Sequence, residues 1–166
     1  MRRFILLLSV IAAAALPAQA DSIRFPKSGQ HAFRVELPKG WKSTADKRGG
    51  LLLVPPDNHA MIYLAILTGD KFRQATDSAV AGDAAKLAGI ERIDSQAPAQ
   101  ISDRTGTAFF GELREKRGFA RKAKIVLVRL APDAWAQEWI VTQPGMNSVE
   151  RRSLERALRG ITLAGE

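Results

Sequence analysis

The sequence contains no cysteine and only two histidines among its 166 residues. Without a thiol, thiol catalysis, thiolate metal sites and disulfide bonds are excluded. The sequence also lacks a G-x-S-x-G nucleophile elbow, a P-loop and a dinucleotide-binding glycine motif. A hydrolase would need His31 or His59 as its base at neutral pH. We therefore expect a protein that is not an enzyme and that uses no cofactor.

Long apolar runs are missing except at the N-terminus. Met1-Arg2-Arg3 is basic, Phe4–Leu16 is apolar, and Ala18-Gln19-Ala20 has the A-x-A form of a cleavage site. The apolar run is shorter than the roughly 20 residues that span a bilayer. We predict a cleaved secretory signal peptide over residues 1–20, followed by one mature domain over residues 21–166 in the periplasm or outside the cell. No transmembrane segment is expected after signal removal.

The charge of the chain is strongly positive. The formal net charge is +8, and removal of Arg2 and Arg3 with the signal peptide leaves 8 − 2 = +6. A basic balance favours anionic surfaces such as acidic proteins or lipid head groups, or serves solubility alone. Because export separates the protein from nucleic acid, we expect no nucleic-acid partner.

The stretch around which the mature chain is organised lies between residues 50 and 68. Two apolar runs, Leu51–Val54 and Ala60–Leu67, flank a Pro-Pro-Asp-Asn turn. The second run is apolar at nearly every position, which predicts a central strand covered on both faces. Before this hairpin, alternation over His31–Leu37 predicts a half-buried strand, whereas Lys42–Gly49 is polar and predicts a loop.

Two helices are predicted. Apolar residues recur at three- and four-residue spacing over Phe72–Ala88, with Thr68 or Asp70 as the N-cap and Gly89 at the C-terminal end. The apolar face of this helix is mostly alanine. The second helix begins near Asn147 with the spacing of a capping box.

Further strands complete the predicted fold. Ile90–Gln100 is predicted as a linker with at most a short strand broken by proline. Thr105–Glu115 and Phe119–Leu130 form a predicted hairpin, and Trp135–Gln143 a further strand. Strands, a helix, strands and a helix predict an α+β domain with a central, mostly antiparallel β-sheet flanked by helices.

The order of these elements and one short motif resemble a known superfamily. Residues 33–41, Phe-Arg-Val-Glu-Leu-Pro-Lys-Gly-Trp, are similar to the F-x-(I/V)-x-x-P-x-G-W opening of the Mog1/PsbP-like superfamily, with DcrB-type exported bacterial proteins as the nearest group. The closing Leu158–Leu163 segment also resembles the end of that family. The resemblance implies an α/β/α sandwich over the mature chain. It further implies accessory and adaptor proteins without a family-wide catalytic constellation.

The candidate partner-binding residues cluster at the predicted hairpin tip. A basic patch there offers a docking site for an acidic partner or anionic lipid, although lysines at such positions also prevent aggregation between strands. Trp135, directly after a turn, is a further candidate, whereas Trp41 and Trp139 are expected in the core. The basic candidates are Arg114, Lys116, Arg117, Arg121, Lys122 and Lys124.

A metal site has weaker support in the sequence. His59 follows Asp57 and Asn58 in the turn of the central hairpin, so these residues suggest either a surface site for a divalent cation or a solvated turn. The spacing favours the turn, and we expect no catalytic, cofactor or metal residues.

These observations predict a non-enzymatic exported accessory or adaptor protein. Its expected partner is a cell-envelope protein or assembly, with an anionic lipid surface as an additional candidate. One alternative is a carrier or shield for an apolar ligand or hydrophobic segment, held between the sheet and the alanine-rich helix. The other alternative is a small hydrolase.

Overall fold

The computed structural model describes residues 22–114 and 120–164. The predicted signal peptide and the tip of the predicted hairpin lie outside these ranges. Within them, no helix is long and apolar enough to cross a membrane.

The described residues form ten strands and two α-helices. In chain order, these are β1 (Ser22–Phe25), β2 (Ala32–Glu36), β3 (Lys42–Ala45), β4 (Gly50–Val54), β5 (Ala60–Thr68), α1 (Asp77–Ala88), β6 (Ile90–Ile101), β7 (Arg104–Arg114), β8 (Ala120–Ala131), β9 (Ala134–Thr142), α2 (Ser148–Arg159) and β10 (Ile161–Ala164). A short 3₁₀ turn, Asp70–Phe72, precedes α1.

The strands form two sheets. The large sheet has seven strands in the order β3-β4-β5-β9-β8-β7-β6, and the small sheet has the order β1-β2-β10. Every pair of neighbouring strands is antiparallel. The predicted α+β fold with a central antiparallel sheet and helices on its two sides is confirmed.

Each face of the large sheet has its own apolar core. On one face, Val80 and Ala84 of α1 pack with Phe109 and Leu127 of the sheet. On the other face, Leu154 of α2 and strands β2 and β10 of the small sheet cover the sheet. The second face is therefore covered by a mixed layer of helix and strand rather than by a helix alone.

The central hairpin is confirmed as β4 and β5. Strand β5 lies between β4 and β9 and is buried along most of its length, as its continuous apolar sequence predicts. Strand β2 also forms as predicted, with Phe33 and Val35 fully buried and Arg34 and Glu36 exposed. It is the middle strand of the small sheet.

The second helix begins as predicted, whereas the first begins later than predicted. The Asn147 side chain accepts hydrogen bonds from the backbone of Val149 and Glu150, and the Asn147 N–H donates to Glu150 Oε2 at 2.6 Å, which completes the capping box. The expected N-cap of α1 at Thr68 or Asp70 is wrong. The N-cap is Thr76, because the chain first forms the 3₁₀ turn, and the helix ends at Gly89 as expected.

The two edge strands of the large sheet differ most from the sequence prediction. The predicted loop contains β3, and the predicted linker is the twelve-residue strand β6. Both strands are largely exposed, so they lack the apolar alternation that marks a half-buried strand. Pro98 is tolerated within β6 because this strand has a neighbour on one side only.

Candidate functional site

The face of the large sheet that carries the small sheet and α2 is covered only in part. Across this face, Leu64, Glu138, Val126 and Ala108 form one buried row. The next row of paired residues lies closer to the end of the sheet where β7 leads to β8. It begins with the buried residues Ile62 and Ile140. It ends with half-buried Lys124 and exposed Phe110. The apolar cover therefore ends over β8 and β7.

The uncovered part of β7 and β8 forms a small surface of mixed character. We call it the Phe110 patch; it comprises Phe110, Glu112, Lys122 and Lys124. These residues are paired across the two strands, Phe110 with Lys124 and Glu112 with Lys122. The ring of Phe110 is 37% exposed, and the Lys124 ammonium group lies 6.0 Å from its centroid. An exposed ring flanked by cations is a typical binding surface for apolar and anionic groups together.

A buried carboxyl group lies beside this patch. Glu138 is only 6% exposed and is paired with Leu64 and Val126 in the neighbouring strands. Burial raises the pKa of Glu138 to about 7, and the nearby positive charge of Lys124 opposes this increase. Glu138 is therefore partly protonated near neutral pH.

The predicted basic residues divide between the two faces of β8. Lys122 and Lys124 share one face, as alternation predicts, because Ala123 and Ile125 belong to the core beneath α1. Arg121 lies at a position that points to the α1 side and is half-buried. Lys116 and Arg117 lie outside the described residues, and for Arg114 only the strand position is described.

The structure corrects the prediction for one tryptophan. Trp135 is predicted as a candidate for partner binding, but it is 1% exposed and lies beneath the Arg129 guanidinium, 5.1 Å from the ring. Because β9 lies between β5 and β8, the turn before Trp135 does not bring this side chain to the surface. The expectation that Trp41 and Trp139 belong to the core is confirmed.

The candidate metal ligands of the central turn are joined by a third residue from α2. One donor atom each of Asp57, His59 and Glu150 lie within 4.8 Å of one another. His59 is 4% exposed, so the interpretation of a solvated turn is wrong for this residue. Its Nδ1 contacts the Asp57 carboxylate, and Glu150 already accepts the hydrogen bond of the capping box. All three residues therefore make structural contacts within the protein.

A second feature is a groove between α1 and the large sheet. Its volume is about 670 Å³, and its walls come from the 3₁₀ turn, α1, β5 and β9. The alanine-rich face of α1 is the sequence feature that suggests space at this position. Ala75, Ala79 and Ala84 do line the groove.

Sequence reasoning missed Phe110, Glu138 and Gln137. Phe109 and Phe110 are adjacent on β7, so the sequence does not reveal which of the two faces the uncovered end of the sheet. Glu138 lies in a strand whose sequence is typical of a buried segment. A charged residue within such a segment indicates an unusual environment. Gln137 is a polar residue in the same segment and gives the same indication.

Comparison with known proteins identifies the fold. No protein-family model matches the chain, and no curated protein matches it. The solved structures do include similar folds. LpqN of Mycobacterium tuberculosis, involved in cell envelope biogenesis, has a TM-score of 0.51 at 13% identity, with 87% of this chain and 91% of LpqN covered.

Two further structures agree with this result. The Ran-binding protein Mog1p of Saccharomyces cerevisiae has a TM-score of 0.50 at 14% identity, with coverage of 86% of this chain and 95% of Mog1p. A protein of Bacteroides thetaiotaomicron has a TM-score of 0.52 at 12% identity; the match covers 81% of this chain and 45% of that longer chain. At these identities the likeness concerns the fold alone, which is Mog1/PsbP-like.

Proposed function

We propose that this chain is a non-enzymatic accessory protein of the cell envelope that binds an acidic protein partner through the Phe110 patch. The observation that carries this proposal is the exposed ring of Phe110 beside Lys124, where the apolar cover of this sheet face ends. The four side chains of the patch are a phenyl ring, a carboxylate and two ammonium groups. An apolar ring combined with charged groups on an open strand surface is suited to binding a partner.

The charge around the patch favours a partner with negative charge. Residues 110–124 contain six basic and two acidic residues. Such an excess steers an acidic partner to this end of the sheet and increases the association rate at low salt. The Phe110 ring then supplies a short-range contribution, because a partner that covers its exposed 37% removes this apolar area from water.

The similar structures support an accessory role without assigning a partner. LpqN is described as involved in cell envelope biogenesis, and Mog1p as Ran-binding. An envelope location for this chain rests on its predicted signal peptide. The DcrB-type resemblance is a prediction of the same kind and names no partner.

Affinity capture from the native envelope tests this proposal. The mature chain is compared with a Lys122→Glu/Lys124→Glu variant, and mass spectrometry identifies both co-purifying proteins and extracted lipids. The matched control reverses two exposed arginines of α2, Arg151→Glu/Arg152→Glu, and so changes the net charge equally. We expect a specific acidic protein with the wild type and the control, and its loss with the patch variant.

Other outcomes contradict the proposal in distinct ways. Equal loss with both variants would indicate that net charge alone retains the partner. A stoichiometric anionic lipid without any protein would replace the protein partner by a membrane surface. Retention by all three chains would exclude the patch as the interface.

A further inference from the structure

The groove beneath α1 exists because this helix lies toward one edge of the large sheet. Helix α1 packs on β6, β7 and β8. The groove opens at the other side of the helix, where Leu67 of β5 and Gln137 of β9 line it together with the 3₁₀ turn. Its volume of about 670 Å³ lies within the range of 300–1,000 Å³ that is typical of small-molecule sites.

The walls of the groove are mostly apolar and small. Phe72 of the 3₁₀ turn and Leu87 of α1 contribute large apolar side chains to the groove. Leu87 is 59% exposed. The alanines of α1 leave space that larger residues would fill. The aliphatic lining residues are Leu67, Ala75, Ala79, Val80, Ala84 and Leu87.

One amide side chain lies among these apolar residues. Gln137 is 3% exposed, and its neighbours in the adjacent strands are Ala65 and Leu127, whose side chains are apolar. Its side chain lines the groove, so its amide group is within reach of a molecule bound there. A polar group among apolar walls fixes the orientation of a ligand by a hydrogen bond. A ligand with a polar group in the groove can form this hydrogen bond with Gln137.

The charges at the mouth of the groove indicate the sign of that ligand. Lys71 and Lys86 line the mouth, and among the residues that the structure describes Asp83 is the one acidic residue of the lining. Asp83 is paired with Lys86 at 3.7 Å, whereas the Lys71 ammonium group lies over the Phe72 ring, 4.8 Å from its centroid. The mouth therefore has a net positive charge that favours an anion over a cation.

We propose that this groove binds a long-chain carboxylate, that is, a molecule with one hydrocarbon chain and a terminal carboxyl group. The hydrocarbon chain occupies the alanine-lined space and removes the apolar walls from water. The Gln137 amide N–H donates a hydrogen bond to an oxygen of the carboxyl group, and Lys71 and Lys86 stabilise its negative charge. This site is separate from the Phe110 patch, because α1 and the patch lie on opposite faces of the large sheet.

Displacement of a fluorescent fatty-acid analogue from the purified mature chain tests the site. The competitors are dodecanoate, dodecanol and dodecylamine, which share the chain and differ in the head group. We expect dodecanoate to displace the probe at a concentration about tenfold lower than dodecanol, which corresponds to one hydrogen bond to a charged group. Dodecylamine should be the weakest of the three.

Two variants separate the groove from nonspecific binding. Gln137→Leu removes the amide at similar volume and should reduce the preference for dodecanoate over dodecanol, of which the charges of Lys71 and Lys86 maintain the remainder. Ala79→Phe fills the groove from an exposed position of α1 and should reduce displacement by all three competitors at least about tenfold. Glu155→Phe, an exposed position of α2, is the matched control for the added ring and should behave as wild type.

The same experiment can overturn the proposal. Equal displacement by the three competitors would exclude a carboxylate site. Unchanged displacement with Ala79→Phe, at an unchanged melting temperature, would place binding outside the groove. If Ala79→Phe loses binding together with a lower melting temperature, Gln137→Leu provides the test. A carboxylate preference equal to that of the wild type in Gln137→Leu contradicts the assigned hydrogen bond.

Discussion

The ring of Tyr63 lies directly on the backbone of Gly50 in the neighbouring strand. A Cβ atom at residue 50 would overlap the Tyr63 ring. The same ring is in contact with Trp139 of β9, with 4.6 Å between the ring centroids and a tilt of 32°. Glycine at the start of β4 thus provides the space in which two aromatic rings pack on the α1 side of the sheet.

We predict that Gly50→Ala destabilises the fold by about 1–3 kcal/mol, the usual cost of an overpacked core. Trp139 lies against the Tyr63 ring and opposes a shift of the ring toward β9. Gly82→Ala is the matched control, because a Cβ at this helical position meets nothing within 4 Å. It should stabilise the protein by up to about 1 kcal/mol through helix propensity. Chemical denaturation of both variants measures the difference; equal effects would contradict the assigned contact.

The raised pKa of Glu138 predicts that this residue lowers stability as the pH rises. Its pKa is about 7 in the folded state, compared with 4.5 for an unperturbed glutamate side chain, so the folded state binds the proton more tightly than the unfolded state does. Below pH 4.5 the residue is protonated in both states and has no effect. Between pH 4.5 and 7 the folded state loses stability, and the full penalty, on the order of 3 kcal/mol, is present above pH 7.

Glu138→Gln removes this dependence. The stability of the variant relative to wild type should increase between about pH 4.5 and about pH 8 by up to about 3 kcal/mol. Glu112→Gln, an exposed carboxylate of the same sheet face, is the control for loss of one charge. Denaturant midpoints across this pH range provide the measurement. A constant difference between Glu138→Gln and wild type at all pH values would refute the account.

A side-chain hydrogen bond connects the segment before β3 to α2. The indole Nε1–H of Trp41, which is 8% exposed, donates to the Ser153 hydroxyl oxygen at 3.1 Å. Ser153→Ala should cost about 1–3 kcal/mol, because it leaves a buried donor unpaired. Ser148→Ala, at the exposed first position of α2, is the control and should cost less. Thermal unfolding followed by tryptophan fluorescence measures both; equal values would show that the hydrogen bond contributes no stability.

The sequence predicted those elements whose signals are local. The capping box at Asn147 and Glu150 was recognisable because its two hydrogen bonds join residues three apart. Strand β5 was recognisable because it is buried on both faces, which requires a continuous apolar run. The predicted start of α1 is too early, because Phe72 and Ala75 continue the helical spacing of apolar residues through the 3₁₀ turn.

The candidate sites depend on contacts that no local pattern contains. Phe110 is exposed because the small sheet and α2 do not extend over this part of the large sheet. The extent of that cover depends on how elements that are distant in sequence pack together. Gln137 faces a groove because α1 lies over β6–β8 rather than over β9. Only the basic character of the hairpin and the small residues of α1 were visible in the sequence.

Photo-crosslinking at residue 110 tests the central claim most directly. A photoreactive phenylalanine analogue replaces Phe110 in the chain expressed in its native cells, and a second chain carries it at Val149, which is 65% exposed on α2. The account predicts one specific protein adduct from position 110, absent from position 149 and lost with Lys122→Glu/Lys124→Glu. The same adducts from both positions, or none from position 110, would contradict a partner bound at the Phe110 patch.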